Sequence, residues 1–455
     1  MLKTRQLQKP IALIFAMMAN IALALLLVLQ GGFDVSAAEL PQYAKDKHMG
    51  VATCANSTCH DVAPHAALPA NESNIQQNEY RTWLLNDRHA KAYTTLLSVE
   101  SQRIARKLGL KSAATASICL DCHADNVPTE QQGPEFFVSD GVGCEACHGG
   151  SERWLSRHTL TPYNAHRNLD DGMYPTSPVK ERMALCLSCH LGNEKKMATH
   201  DIMGAGHPRL GFELDTFTIR QPEHYSTDAD YVERKQRETP LSRLLLGTAL
   251  QAQAVSKNLS GSLVDHPQGH PELVLYDCHS CHHPMDDLRW EQRPSTEGLK
   301  PGAIRLNDSS FILLTALLAP IDAVLQQKMS DGIKRLHGAS TRSIKELQKE
   351  AQTLFVLSQQ AQTVLSDVEL DDETKKAMVD SIVFYGIKGE YRDYIAAEQA
   401  VMGIDVLAYS LPLDPTLHEL VERAYRHTKS QDAYNSRGFV LDLKSYLQTK
   451  QKTER

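Results

Sequence analysis

All ten cysteines of this 455-residue chain fall into five pairs, and a histidine follows the second cysteine of every pair. The pairs are Cys54/Cys59 with His60, Cys119/Cys122 with His123, Cys144/Cys147 with His148, Cys186/Cys189 with His190, and Cys278/Cys281 with His282. Four read C-x-x-C-H and the first reads C-x-x-x-x-C-H. The spacing suits one product: two thiols reach the two vinyl groups of a porphyrin while the adjacent imidazole turns onto its iron. Chance gives on the order of 0.01 C-x-x-C-H motifs in a chain this long, so four are a signal. A disulfide framework gives no reason for the trailing histidine, and neither a zinc ribbon nor a redox dithiol needs it. The expectation is five covalently bound haem c groups, with the ten cysteines as thioether donors and His60, His123, His148, His190 and His282 as proximal iron ligands. The first site stretches the pattern, because Ala55-Asn56-Ser57-Thr58 must loop out.

The sixth position on each iron decides between electron transfer and chemistry. Of twenty histidines, five are proximal by motif, three lie far downstream (His337, His418, His427), and twelve others fall between His48 and His283. Three candidates for distal ligands stand out by position. His89 follows Trp83 and Leu84 in a stretch from Asn78 to Leu97 that reads as one helix packed on a flat apolar surface. His158 comes shortly after His148 and Gly149-Gly150, and His207 sits in Gly204-Ala205-Gly206-His207-Pro208, where small and rigid residues permit close approach to a cofactor. Behind them stand His200 and His65, then His166, His224 and His270, whose ordinary alternative is a solvated polar role. His279 and His283 flank the fifth motif too tightly to ligate its own iron. A methionine such as Met203 would raise a haem's potential, but nothing in the spacing favours it over histidine.

The N-terminus reads as an export signal over residues 1–38: Lys3, Arg5 and Lys9 precede an apolar run from Ile11 to Leu29, and Val35-Ser36-Ala37-Ala38 resembles a cleavage site. The run is long for a signal core, so an uncleaved membrane anchor is the alternative. Both readings put the rest of the chain outside the cytoplasm, in the periplasm. A formal charge of -7 excludes nucleic acid as the expected partner. Aromatic residues make up only 6% of the chain, which is lean for a protein of this size and fits a core that bound haem helps to fill.

Residues 39–301 therefore read as a pentahaem region. The attachment histidines 123, 148 and 190 are close in sequence, and stretches such as Gln131-Gln132-Gly133-Pro134 and Gly141-Val142-Gly143 suggest irregular backbone wrapped around cofactors. From 302 to 455 there is no cysteine and helical periodicity prevails. Phe311, Leu314, Leu317, Leu318, Ile321 and Leu325 form one stripe, and Ile344, Leu347, Ala351, Leu354 and Leu357 the next. Asp371 is a candidate N-cap for a helical region running from Met378 past Leu407, and Pro415 starts another helix. The fold class is mainly α: a multihaem cytochrome domain with haem-wrapping loops, followed by a C-terminal helical bundle that serves as a cap, docking surface or homodimer contact.

The segment from Gly50 to about Pro284 resembles the multihaem cytochrome c group that includes the tetrahaem electron acceptor of hydroxylamine oxidoreductase and, more distantly, pentahaem nitrite reductase. The matching pieces are Gly50-Val51-Ala52-Thr53-Cys54, Trp83 with His89-Ala90, and Gly141-Val142-Gly143-Cys144-Glu145-Ala146-Cys147-His148-Gly149. The resemblance implies stacked and perpendicular haem pairs, largely bis-histidine ligated, and supports His89, His158 and His207 as distal ligands. Five motifs, an expanded first motif and the haem-free C-terminal region depart from the tetrahaem protein. Nitrite reductases of that group use a C-x-x-C-K haem, and no lysine follows any pair here. The expected function is electron transfer between a respiratory donor, such as a membrane quinol dehydrogenase, and a terminal acceptor or reductase. The alternative is a haem enzyme acting on a small nitrogen compound or peroxide at one five-coordinate iron, as one member of the resembling group keeps an open haem.

Overall fold

A C-x-x-C-H motif laid on one helical turn puts its cysteines on a common face, because residues three apart are neighbours on a helix. Three motifs use this arrangement. Helices Ser117–His123, Cys144–His148 and Val179–His190 each end on the attachment histidine. After His148 the chain leaves the helix through Gly149 in the left-handed region, φ 83°, a conformation glycine adopts without Cβ strain. The first motif follows the short helix Val51–Cys54, and its extra residues fold into a turn: Asn56 Oδ1 accepts from Thr58 N at 2.9 Å, and Cys59 N donates to the Asn56 carbonyl at 2.8 Å. The fifth motif opens with a 3-10 turn, Cys278–Ser280, capped by the Asp277 carboxylate on His279 N.

The computed structural model describes residues 38–62, 77–160, 165–225, 227, 229–234, 238–265, 270–283, 292–366 and 368–453. The export signal or anchor expected over 1–38 thus falls almost wholly outside the described residues, as does His65. Of the two compact units into which the chain divides, Met1–Glu39 and Leu40–Arg455, the second is the one described below. It is mainly helical, and among the described residues it has no strand, only isolated bridges at His48/Gln132 and Tyr276/Leu306. No helix among the described residues is long and apolar enough to cross a membrane.

The elements that carry the argument are α1 (Glu79–Asn86), α2 (Ser117–His123), α3 (Cys144–His148), α4 (Val179–His190), α5 (His200–Ala205), α6 (Pro240–Ser260), α7 (Ser309–Leu318), α8 (Ala323–Ser340), α9 (Ile344–Ser366), α10 (Asp372–Ile387), α11 (Tyr394–Tyr409), α12 (Pro415–His427) and α13 (Ser436–Thr453). Helix α7 is buried along its whole length, as expected for a helix that is apolar all round, and α6, α8, α10 and α11 pack against it. Helix α6, which lies within the cytochrome region as read from the sequence, contributes Leu244, Leu245, Ala249, Ala252 and Leu259 to the same core as α7–α13. It also packs on α4, so the fourth motif is seated directly on the bundle.

Three helical stretches read from periodicity prove to be interrupted, each for a local reason. The stretch from Asn78 to Leu97 breaks at Asp87, whose extended backbone lets its carboxylate cap the next turn through His89 N at 2.9 Å. The stripe from Phe311 to Leu325 is divided between α7 and α8. Pro320 falls between them and cannot donate a helical hydrogen bond, and Asp322 caps α8 by accepting from Val324 N and Leu325 N. The region from Met378 past Leu407 is two helices, α10 and α11, parted at Gly389 with φ 91° and restarted by Asp393 as N-cap. Asp371 caps α10 and Pro415 opens α12, as the sequence predicts.

The motif-bearing region is tied together by polar contacts. Buried Glu145, between the cysteines of the third motif, accepts from Met49 N (2.8 Å), Gly50 N (2.7 Å) and Ser151 N (2.7 Å), which pins the entry to the first motif onto α3. Trp83 Nε1 donates to the Val142 carbonyl at 3.0 Å, and Val142 N donates to the His89 carbonyl. At Gly141 a Cβ would lie 2.8 Å from that carbonyl oxygen, so only glycine admits this close approach.

Candidate functional site

Every attachment histidine has a second imidazole opposite it. His60 faces His158 with ring centroids 6.2 Å apart. His123 faces His207 at 6.2 Å, His148 faces His224 at 6.1 Å, His190 faces His89 at 6.2 Å, and His282 faces His200 at 6.3 Å. The distance alone is not diagnostic, since ring pairs commonly lie about 4.5–7 Å apart and His279 and Tyr434 are parallel at 6.3 Å. The pairing is the telling feature: five attachment histidines, five different partners, all histidine, within a spread of 0.2 Å. Two imidazoles on opposite faces of one metal, each bonded at about 2 Å with its ring centre about 1 Å further on, have centroids about 6 Å apart. Each pair can hold one haem iron.

Five of the ten facing histidines share one use of their ring nitrogens, a use also found at His270 and His418, which face no attachment histidine. His60, His89, His123, His158 and His207 all make their hydrogen bond through Nδ1: to Glu79 Oε2 (3.0 Å), Asp87 Oδ1 (2.9 Å), and the carbonyls of Ala92 (3.1 Å), Leu155 (2.5 Å) and Pro208 (2.7 Å). Nε2 is thereby left for a metal, the arrangement that second-shell acceptors impose on metal-binding imidazoles. His337 and His427 instead spend Nε2 on Asp308 (2.9 Å) and Asp442 (3.0 Å). His48 is fully buried on Asp125 at 2.7 Å. These three are structural.

The electrostatics differ from one imidazole to the next. Burial holds His190 below the ordinary imidazole value, and it does the same for His207, which also lies beside His123; a neutral ring is the form that binds metal. The Glu79 and Asp87 hydrogen bonds hold His60 and His89 above that value against the pull of burial. None of the ten cysteines is in a disulfide. Burial pushes the Cys147 thiol up to about 12 and Cys186 to about 11, whereas Cys189 beside Cys122 and Lys196, and Cys54 beside Cys144, are drawn down.

A cavity of about 3120 Å³ is lined by the cysteines and histidines of the first four motifs and by His89, His158, His207 and His224. Single-ligand pockets measure roughly 300–1,000 Å³, so this space suits several large cofactors side by side. Contacts between cysteines of different motifs give the spatial order. Cys54 lies within electrostatic reach of Cys144, linking the first motif to the third, and Cys122 within reach of Cys189, linking the second to the fourth. Cys147 feels the charges of Cys186 and Cys189, joining third to fourth. Helix α5 begins with His200, opposite the fifth motif; His207, opposite the second, follows just beyond its end. Arg209 Nη1 reaches Cys278 Sγ at 2.7 Å. The sites therefore run first, third, fourth, second, fifth.

The fifth motif sits apart from the other four, and Cys281 furthest of all. Neither Cys278 nor Cys281 lines the cavity that the other eight cysteines share. Cys278 is half-buried beside Arg209, whereas Cys281 is exposed. Backbone geometry is the reason. Cys122, Cys147 and Cys189 each lie inside an α-helix, but Cys281 falls just past the end of the 3-10 turn, its N–H donating to the Cys278 carbonyl at 3.1 Å. A 3-10 turn has three residues per turn rather than 3.6 and rises more steeply, so the two thiols of this pair are set differently from those on α2, α3 and α4. Cys59, the other exposed cysteine, still borders the cavity. Cys281 as a thioether donor therefore rests on the motif and on the facing of His282 and His200, not on an enclosed position.

Of the distal candidates drawn from the sequence, His89, His158, His207 and His200 stand opposite attachment histidines, and His65 lies outside the described residues. The remaining facing position belongs to His224, which spacing alone ranked with His166 and His270. Those two are exposed, and His270 bonds its neighbour Pro271. With His200 and His207 filling the positions at either end of α5, Met203 between them is not required as a ligand. Glu79 and Asp87 carried no signal in a reading that looked for ligands, although the spacing Asp87-Arg88-His89 is one from which such a contact could be suspected.

Comparison with known proteins bears on part of the chain. Residues 53–149, which contain the first three motifs, match the family model for cytochrome c554 and c-prime. The match supports a multihaem c-type cytochrome with covalently bound haem c and a role in electron transfer. No curated protein and no solved structure matches the chain.

Proposed function

We propose that this chain is an exported electron carrier with five covalently bound haem c groups, each held between two histidines: His60/His158, His123/His207, His148/His224, His190/His89 and His282/His200. The observation that carries the reading is the one-to-one facing of attachment and second histidines at 6.1–6.3 Å. Haem c at these sites supplies reversible one-electron exchange at iron. The chain's own residues do the rest. Each facing pair would supply two imidazole ligands to an iron held between them, which would leave no position for a substrate. The shared cavity holds four of the sites side by side, and the proximity of cysteines from different motifs brings successive attachment points together. The fifth site, outside that cavity and beside the bundle, is one end of the order; the first is the other.

In this reading electrons pass in the periplasm between a respiratory donor, such as a membrane quinol dehydrogenase, and a terminal acceptor or reductase that the two ends contact. The bundle offers the surface for a partner or a second copy. The test is the ferric protein as isolated after export. Intact mass and haem quantitation should give five haems, and the EPR spectrum should show low-spin iron only. A high-spin signal from one haem per molecule would overturn the carrier reading in favour of an enzyme acting on a small nitrogen compound or peroxide. Four haems with Cys54 and Cys59 free would remove the first site. Four haems with Cys278 and Cys281 free would remove the fifth, and a haem held by Cys278 alone would strike Cys281 from the donors.

A further inference from the structure

We infer that Glu79 and Asp87 are positioning residues that lower the reduction potentials of the first and fourth haem sites. The inference rests on the bis-histidine reading above and goes beyond it. Once Nε2 of an axial histidine is on iron, Nδ1–H is the ring's remaining donor, and its acceptor tunes the ligand. His123, His158 and His207 donate to neutral backbone carbonyls. His60 and His89 donate to carboxylates. A carboxylate draws the shared proton towards itself, gives the imidazole more imidazolate character and makes it a stronger donor to iron. Ferric iron is then favoured over ferrous, and a negative charge held beside the ligand acts in the same direction.

Both carboxylates are held in place by backbone. Asp87 is buried, and its Oδ1 accepts from both His89 N and His89 Nδ1 at 2.9 Å. Glu79 receives Gln77 N on Oε1 (3.1 Å) while Oε2 takes His60. The break in the helix at Asp87 is what aims this side chain at the histidine two residues on. In the spatial order of the sites the first is an end and the fourth is the middle. An electron passing from the first site to the fifth crosses the site backed by Asp87.

Ring planes supply a readout specific to each class of site. The imidazoles are 11° apart at the first site and 30° at the fifth, but 84°, 90° and 85° at the second, third and fourth. Nearly parallel planes give low-spin ferric haem a rhombic EPR signal, and nearly perpendicular planes give a strongly anisotropic one with a single large g value. In an EPR-monitored potentiometric experiment on the full haem-loaded protein, Glu79→Gln should move one midpoint of the rhombic class upward and leave the large-g class in place. Asp87→Asn should move one midpoint of the large-g class upward and leave the rhombic class in place. The amides keep a neutral acceptor at the ring, so ligation persists.

Each variant decides its own carboxylate. An unchanged or lowered midpoint, or a shift in the other class, overturns the assignment. A new high-spin signal overturns it as well, because the carboxylate would then be holding the ligand rather than setting its donor strength. Failure of the bis-histidine reading is distinguishable, since it appears in the unmutated protein as high-spin iron or fewer than five low-spin haems.

Discussion

The motif-bearing region and the bundle solve the same problem with different material. From α6 onward, α7 to α13 bury a continuous apolar core built from their own leucines, alanines and isoleucines. Between residues 40 and 225 the buried apolar clusters are small: one centres on Leu96, Ala105 and Leu120, another on Met183, Leu187, Phe212 and Leu214. The rest of that region encloses a cavity of about 3120 Å³. Close packing is the rule for protein interiors, so a space of that size lined by thiols and imidazoles is an interior meant to be completed by cofactor. The two regions differ in how much of their interior their own apolar side chains fill.

The largest test breaks the two apart. When the chain is produced without haem attachment, the region before α6 should lose protease resistance and near-ultraviolet structure. Helices α6–α13 should survive limited proteolysis as a helical fragment visible by mass spectrometry and far-ultraviolet dichroism. Digestion of the whole chain at one rate would show that the bundle, too, depends on the cofactors.

The next effect lies inside the bundle. Arg293, fully buried, pairs with Asp308 (3.0 Å), Asp393 (3.2 Å) and Glu390 (3.5 Å). Burial opposes its charge, but the three carboxylates outweigh that cost and raise its pKa. Arg293→Met leaves buried carboxylates without their cation and should destabilise the bundle by about 3–5 kcal/mol, read from chemical denaturation followed by dichroism. Retention of full stability would mean that the carboxylates take up protons at little cost.

Much of this organisation was legible in the sequence, and the gaps have physical causes. Covalent attachment needs a fixed local spacing, so the five motifs are visible without structure. Their surroundings are not: nothing in Cys278–His282 tells that its turn is 3-10 and leaves Cys281 exposed, because that depends on Asp277 capping the turn from outside the motif. Facing histidines need only proximity in space. His89 and His207 have informative neighbours, whereas His224, between Pro222-Glu223 and Tyr225, has none and rises only when folding sets it against His148. The bundle's class follows from periodicity, but the breaks at Pro320 and Gly389 interrupt apolar patterns that themselves continue. The role of α6 depends on a long-range contact with α9 that no local pattern encodes.

A smaller effect comes from acid. Asp308 is buried, which pushes its carboxyl up, but Arg293 and His337 outweigh burial and bring it down to about 2 from an unfolded value of 3.8. A depressed carboxylate contributes stability that is present above the unfolded value and is lost as pH falls through the folded one. Bundle stability should therefore drop by about 2 kcal/mol between roughly pH 4 and pH 2 from this group, and Asp308→Asn should flatten that part of the profile. A profile equally steep in the variant would assign the acid sensitivity elsewhere.

The smallest effect sharpens the comparison most, because it removes one hydrogen bond of similar strength from each region. Asp371→Ala removes the cap on Thr374 N at 2.8 Å, with an expected loss of about 1 kcal/mol. Trp83→Phe removes the bond from Nε1 to the Val142 carbonyl at 3.0 Å, for a similar intrinsic loss of about 1 kcal/mol. In the bundle that loss should appear in full as a lower denaturation midpoint. In the other region the segment can relax locally while the rest of the region stays folded, so the denaturation midpoint should move less. The change should surface instead at the histidine whose carbonyl Val142 binds: His89 has its backbone held by Val142 N, and loosening that segment should alter the large-g EPR class of the fourth site. Equal thermal shifts in the two variants, with unchanged spectra in Trp83→Phe, would show that the motif-bearing region is held by its own side chains after all.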